Sequence, residues 1–69
     1  MTKWMLTFDA VLDDGTQAVT RITVHMSGNM LDKLNSSKDY QFYEFFFDDG
    51  TPFIEPKETI IQLVYISEG

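Results

Sequence analysis

The sequence contains no cysteine, only two prolines and a single histidine among its 69 residues. Without cysteine, neither a disulfide nor a thiolate-bound metal can stabilise the fold. No apolar run approaches the ~20 residues that a membrane-spanning helix needs, and the first residues lack the pattern of a signal peptide. These absences predict a cytoplasmic protein whose stability comes from its hydrophobic core.

Basic residues are also scarce, with five against eleven acidic ones and a net charge of −6. Phosphate backbones are held mainly by Lys and Arg, so we expect no nucleic-acid partner, and the same charge disfavours an anionic membrane. A chain of this length buries only about 60% of its unfolded surface. The aromatic content, six Phe, three Tyr and one Trp, supplies the bulk for a core. We predict one compact domain over residues 1–69.

The segment Asp13-Asp14-Gly15 lies between two runs of alternating apolar and polar residues. Such alternation is typical of β-strands. A three-residue loop with Gly15 in the left-handed region places Trp4 opposite Val24 and gives a consistent apolar face. A two-residue loop would mix apolar and polar side chains on one face. Because a one-residue slip exchanges whole faces, we predict the three-residue loop.

The same turn sequence recurs as Asp48-Asp49-Gly50, again followed by threonine. It predicts a second hairpin, with Phe45 opposite Phe53. Pro52 and Pro56 cannot donate ladder hydrogen bonds, so the returning strand is expected at an edge of the sheet.

The aspartates of both loops could in principle bind a hard cation. Asp and Gly are, however, the residues that such turns require for conformational reasons. We therefore interpret both segments as structural turns and predict no metal site. These residues are Asp13, Asp14, Gly15, Asp48, Asp49 and Gly50.

Between the hairpins, Ser27 is a candidate N-cap for one short helix near residues 28–36. Residues 59–67 are apolar on nearly both faces, which is typical of a central strand or of a strand buried on both sides. The sequence thus predicts an α+β fold of order β-β-α-β-β-β. We expect a small antiparallel sheet or partly open barrel of about five strands.

No residue pattern indicates catalysis. His25 is expected on the outward face opposite Lys3, and Asp9 and Glu44 are expected to point to solvent. A nucleophile elbow and a glycine-rich phosphate loop are both missing from the sequence. We predict a non-enzymatic protein with no catalytic residue and no cofactor.

The aromatic run from Tyr40 to Phe47 is the segment most suggestive of function. One short helix can cover only one face of a sheet, so part of this apolar surface is expected to stay exposed, unless the sheet curls and buries both faces. Exposed apolar patches mark interfaces. The predicted interface residues, drawn from this run and the last strand, are Phe42, Phe46, Ile61, Leu63 and Tyr65.

The segment from Phe45 to Thr51, with Ile54-Glu55-Pro56 and the run Thr59 to Leu63, resembles a pattern in small uncharacterised β-rich proteins. These proteins occur in Gram-positive bacteria, their phages and other mobile elements. The resemblance covers the C-terminal third and rests on hairpin and strand residues. It implies an accessory protein of a phage or mobile element and no particular activity.

Two functions fit these observations best, and a third, a minimal enzyme, would need a pocket that joins His25 to Asp9 or Glu44. The first is a protein-interaction module that uses its aromatic sheet face to form a homodimer or to bind a protein partner. The alternative is an acidic inhibitor that presents carboxylates in place of nucleic-acid phosphates. The alternative requires the acidic side chains to converge on one surface.

Overall fold

The computed structural model describes residues 1–36 and 38–68. Within them the chain forms five strands, one α-helix and one 3-10 helix. In chain order these are β1 (Thr2–Val11), β2 (Gln17–Met26), α1 (Gly28–Asn35), β3 (Phe42–Phe46), β4 (Pro52–Pro56), the 3-10 helix (Lys57–Thr59) and β5 (Ile60–Ser67).

The strands form one open antiparallel sheet in the order β4-β3-β2-β1-β5. The α+β class and the open sheet of five strands with one short helix are confirmed. The predicted order of elements lacks the 3-10 helix Lys57–Thr59, which takes the place of a simple turn before β5. Strand β4 lies at an edge, as its prolines Pro52 and Pro56 require.

The register predicted for the first hairpin is confirmed, because Trp4 pairs with Val24 and Leu6 pairs with Ile22. At the tip, the Leu12 amide donates to the Thr16 carbonyl at 2.8 Å, which closes a three-residue loop. Gly15 has a φ of +84° in that loop.

The second loop repeats the first one bond for bond. The Phe47 amide donates to the Thr51 carbonyl, and the Gly50 amide donates to the Phe47 carbonyl, each at 2.9 Å. Gly50 has a φ of +88°. The pairing of Phe45 with Phe53 is confirmed as well. The doubled tetrapeptide therefore encodes one loop geometry twice.

Helix α1 begins at Gly28 and is capped by Ser27, whose hydroxyl oxygen accepts a hydrogen bond from the Met30 amide at 3.2 Å. Its Met30 side chain contacts β3. There the Glu44 amide donates to the Met30 sulfur at 3.2 Å. The helix thus substitutes for sheet neighbours that β3 lacks on that side.

The core lies on one face of the sheet, which we call the covered face. Its fully buried side chains include Leu6, Val24 and Phe45, and Met30 of α1 packs among them. The opposite face, the open face, carries the alternate residues of each strand; Val19 on β2 is 68% exposed there. Among the described residues α1 is the only α-helix, and its buried Met30 joins the core of the covered face.

The position of β5 corrects the sequence-based expectation of a central strand. Among the strands of the described residues it pairs with β1 alone, and it forms the edge of the sheet opposite β4. Several of its apolar side chains are exposed. The side chains of β5 are apolar on both faces, but no second strand of the described residues pairs with it.

Candidate functional site

Strand β5 combines an apolar sequence with an edge position. Four of its apolar side chains are exposed: Ile61 (55%), Val64 (46%), Tyr65 (46%) and Ile66 (44%). An edge strand presents backbone donors and acceptors that can pair with another chain. Natural edge strands are commonly protected by Lys, by Pro or by an inward-pointing charge. The eight residues of β5 contain none of these residue types.

The lack of charge distinguishes β5 from the rest of the fold. Every other helix and strand within residues 1–36 and 38–68 carries at least one Asp, Glu, Lys or Arg. The chain as a whole has a net charge of −6. The outer side of β5 is therefore an apolar strip on an otherwise acidic protein.

The inner side of β5 is firmly attached to the core. Leu63 lies opposite Leu6. Tyr65 lies opposite Trp4, and their rings make an edge-to-face contact with centroids 5.4 Å apart. The Tyr65 hydroxyl donates to a Glu68 carboxylate oxygen at 2.6 Å, and this hydrogen bond raises the pKa of Tyr65 above its ordinary value. The strand is thus paired and packed on its β1 side, and no strand of the described residues pairs with its other side.

Two register shifts bound the regular part of β5. They fall between Lys3 and Trp4 and between Thr7 and Phe8 on β1. Ile66 and Ile61 are the extra residues on β5 at these shifts. The stretch Gln62–Tyr65 between them pairs continuously with β1. β-Bulges such as these bend a strand locally. The regular stretch is the part best suited to pair with another strand.

A second apolar surface lies on the open face of the β3–β4 hairpin. Phe42 is 62% exposed and Ile54 is 61% exposed. Both line a shallow hollow of about 260 Å³, together with Met30, Lys33, Tyr43 and Glu44. Phe46, opposite His25 at the end of β3, is only half-buried on the same face.

The five predicted interface residues do not form one surface. Phe42 and Phe46 lie on the open face of β3, whereas Leu63 and Tyr65 lie on the covered face of β5. Strands β2 and β1 separate the two groups. Ile61 lies at a register shift near one end of β5. The structure therefore divides the predicted set into a hairpin surface and an edge-strand surface.

Sequence reasoning missed three exposed residues of these surfaces, Ile54, Val64 and Ile66. Val64 lies opposite Met5 on the open face. The alternation of Leu63, Val64 and Tyr65 contained the signal, but a strand that is apolar on both faces was interpreted as buried.

The loop aspartates act as turn residues. Asp14 accepts hydrogen bonds from the Thr16 amide at 3.0 Å and hydroxyl at 2.7 Å, and Asp49 accepts from the Thr51 amide at 2.9 Å. Asp48 contacts a different residue, with 2.7 Å between its carboxylate oxygen and Nε2 of His25. No group of three or more potential metal ligands is found among the described residues.

His25 lies opposite Lys3, as predicted. Its side-chain contact is with Asp48, rather than with Asp9 or Glu44. The hollow beside β3 contains Glu44 but is not lined by His25. An acid–base pair joining the histidine to either strand carboxylate is thus not assembled by the described residues.

The hydrogen bonds of the first loop make a prediction about ionisation. The Thr16 hydroxyl, followed by the Thr16 amide, lowers the pKa of Asp14 below its ordinary 3.8. Thr16→Val removes the hydroxyl donor, so we expect the pKa of Asp14 to rise toward that ordinary value. An NMR titration of the Asp14 carboxyl carbon measures it.

The sign of the linked stability follows from the depressed pKa. The native state favours ionised Asp14, so this contribution to stability is present above pH 3.8 and is lost as the pH falls through the lower native pKa. In the Thr16→Val protein the contribution of ionised Asp14 to stability is smaller, so acidification removes less stability. The control is Asp49, held equivalently by Thr51 in the other loop, whose pKa should not change. An unchanged Asp14 pKa in the variant would contradict the assignment.

Comparison of the chain with protein families, with curated proteins and with solved structures gives no match. The described residues include no helix with the length and apolar character needed to cross a membrane.

Proposed function

We propose that this protein is a non-enzymatic protein-interaction module that binds through the outer edge of β5. The observation that carries the proposal is the eight-residue strand Ile60–Ser67, which is apolar and uncharged yet lies at the sheet edge. Backbone pairing along such an edge supplies affinity, and side chains on alternate positions supply specificity. No catalytic group or cofactor is needed for this activity.

The proposed mode is addition of one strand from the partner to the sheet. The regular stretch Gln62–Tyr65 offers backbone groups for pairing, while Val64 and Tyr65 present apolar side chains on the two faces. Burial of apolar area contributes roughly 25 cal/mol per Å². The hairpin surface around Phe42 and Ile54 is less suited to strand addition, because its edge strand β4 has five residues against eight in β5.

The alternative, mimicry of a nucleic acid, has less support from the geometry. Asp49 precedes β4 and Glu58 follows it, so these two acids lie at opposite ends of the same strand. Asp48 is paired with His25, and Asp39 is paired with Lys57. A phosphate-like row requires converging carboxylates, whereas these are distributed over the fold. We therefore favour the interaction module.

The test uses a peptide with the sequence of β5, carrying a neutral polyethylene glycol tail for solubility. Trp4 is the single tryptophan of the chain and touches Tyr65 of β5, so its fluorescence reports on events at this edge. We expect a saturable change in Trp4 emission as the peptide is added. Amide shifts in NMR spectra should be largest along β5.

Matched variants locate the binding site. Val64→Glu places a charge on the pairing strand, and we expect it to weaken peptide binding by at least about tenfold. Val11→Glu makes the same change at a more exposed open-face site of β1, outside its pairing with β5, and should leave binding unchanged. Equal effects of both variants, or shifts centred on Phe42 and Ile54, would contradict the proposed site.

A further inference from the structure

The uncharged edge of β5 also indicates what occupies it. A basic partner would be steered by acidic side chains at its binding site, and β5 contains no charged residue. For a second copy of the chain, by contrast, an uncharged binding site is favourable. Two proteins of net charge −6 repel each other least where neither carries a charge. We infer that the occupant is a second copy of this chain, paired antiparallel through β5; this rests on the proposed function.

The pattern along β5 is compatible with pairing to itself. A two-fold axis perpendicular to the sheet makes an interface in which each strand contributes the same residues. If the axis passes at Val64, then Val64 lies opposite its own copy on the open face. Leu63 then lies opposite Tyr65 of the second copy on the covered face. Aromatic and β-branched pairs of this kind stabilise antiparallel strands.

The neighbouring register is less favourable. With the axis at Leu63, the half-buried Leu63 would face its own copy and the exposed Val64 would face Gln62. That register also places Glu58 opposite Glu68 of the second copy, and like charges directly opposite are destabilising. With the axis at Val64, Glu68 lies opposite Ile60 instead. We therefore assign the two-fold axis to Val64.

The resulting dimer continues one sheet through both copies. Because the axis is perpendicular to the sheet, both covered faces and both α1 helices lie on the same side. The edge formed by β5 disappears, and each copy keeps two edges: β4, and the outer side of β2 before His25, with which no strand of the described residues pairs. Pro52 and Pro56 on β4 and the charged Arg21 on β2 disfavour further strand addition at these edges. The geometry predicts a closed dimer rather than a growing fibre.

A cysteine cross-link tests the axis directly, because the chain contains no cysteine of its own. Directly opposed residues in antiparallel strands have Cα atoms about 4.5–5.5 Å apart, within the ~4.4–6.8 Å range that disulfides span. We expect Val64→Cys to form a disulfide-linked dimer rapidly under mild oxidation. Val19→Cys also gives a protein with one cysteine on the open face, but away from β5. It should remain largely without cross-links.

Analytical ultracentrifugation of the unmodified protein tests the association itself. We expect a monomer–dimer equilibrium that Val64→Glu shifts to monomer by at least about tenfold, while Val11→Glu, with the same net charge, behaves like wild type. Raising the ionic strength from about 0.01 M to about 0.15 M shortens the Debye length from roughly 30 to 8 Å. Screening should therefore strengthen the dimer, whereas it would weaken binding to a basic partner.

The outcomes separate this inference from the proposed function. A wild-type protein that stays monomeric at all concentrations, but binds the β5 peptide, overturns the dimer and leaves strand addition intact. Failure of both measurements overturns both proposals. A dimer that is insensitive to Val64→Glu but is disrupted by Phe42→Ser contradicts the β5 interface and assigns self-association to the hairpin surface.

Discussion

Phe45→Ala is expected to remove most of the free energy of unfolding. Phe45 is the largest of the fully buried side chains, and its ring lies 5.5 Å from that of Phe53. Truncation of a buried Phe to Ala typically costs about 3–5 kcal/mol. Domains of this length have a total stability on the order of 3–10 kcal/mol. Urea denaturation followed by circular dichroism measures the difference.

The control lies on the same strand. Phe42→Ala removes the same atoms from a side chain that is 62% exposed, so we expect a change below about 1 kcal/mol. The comparison holds residue type, substitution and strand constant and varies only burial. If the two variants were destabilised equally, the assignment of Phe45 to the core and Phe42 to the surface would be wrong.

Gly50→Val is expected to cause the next largest loss, about 2 kcal/mol or more in the free energy of unfolding. The φ of +88° at Gly50 lies in the left-handed region, which costs an ordinary residue roughly 1–2 kcal/mol and a β-branched residue more. A Cβ at this position would meet no atom within 4 Å. The cost is therefore conformational rather than steric crowding by neighbours. Gly15→Val, with φ of +84°, should behave similarly.

Two controls isolate the backbone conformation. Gly28→Val introduces the same side chain into equally open space, but at a helical position without positive φ, and should change stability by less than about 0.5 kcal/mol. Asp13→Asn alters the loop and keeps its glycine, so it should also cost less than Gly15→Val. A loss at Gly28 that matches the loss at Gly50 would show that left-handed geometry is not the cause.

The hairpins were predictable because their information is local. Gly15 and Gly50 fix the loop conformation, and alternation on each side then leaves only one register with a consistent apolar face. The N-cap at Ser27 is local in the same sense, since its hydroxyl bonds an amide three residues later. The loops and the N-cap depend on residues that are close together in the sequence, so they can be predicted from one sequence alone.

The placement of β5 was not predictable from the same kind of pattern. An apolar strand such as Leu63-Val64-Tyr65 reports only that its side chains favour an apolar environment. It does not report whether that environment belongs to the same chain. The central position expected for β5 and its observed edge position differ by one missing neighbour. The proposed dimer would provide that neighbour.

The division of the predicted interface also depends on long-range order. The sequence predicts one interface for Phe42 and Tyr65 because a single short helix leaves part of the apolar sheet surface uncovered. Their separation follows from the insertion of β2 and β1 between β3 and β5, and strand order is set by contacts between residues distant in sequence. Alternation assigns a side chain to one of two faces, but it does not say which faces of different strands coincide.

A single residue pair, His25 with Phe46, joins β2 to β3, whereas β1 and β2 pair along their whole length. Backbone hydrogen bonds between β2 and β3 are therefore too few to make the two hairpins unfold together. The coupling between the hairpins depends on side chains, above all Met26, Met30 and Phe45 in the shared core. We therefore expect the β3–β4 hairpin to open locally, so that its amides exchange with solvent sooner than those of β1 and β2.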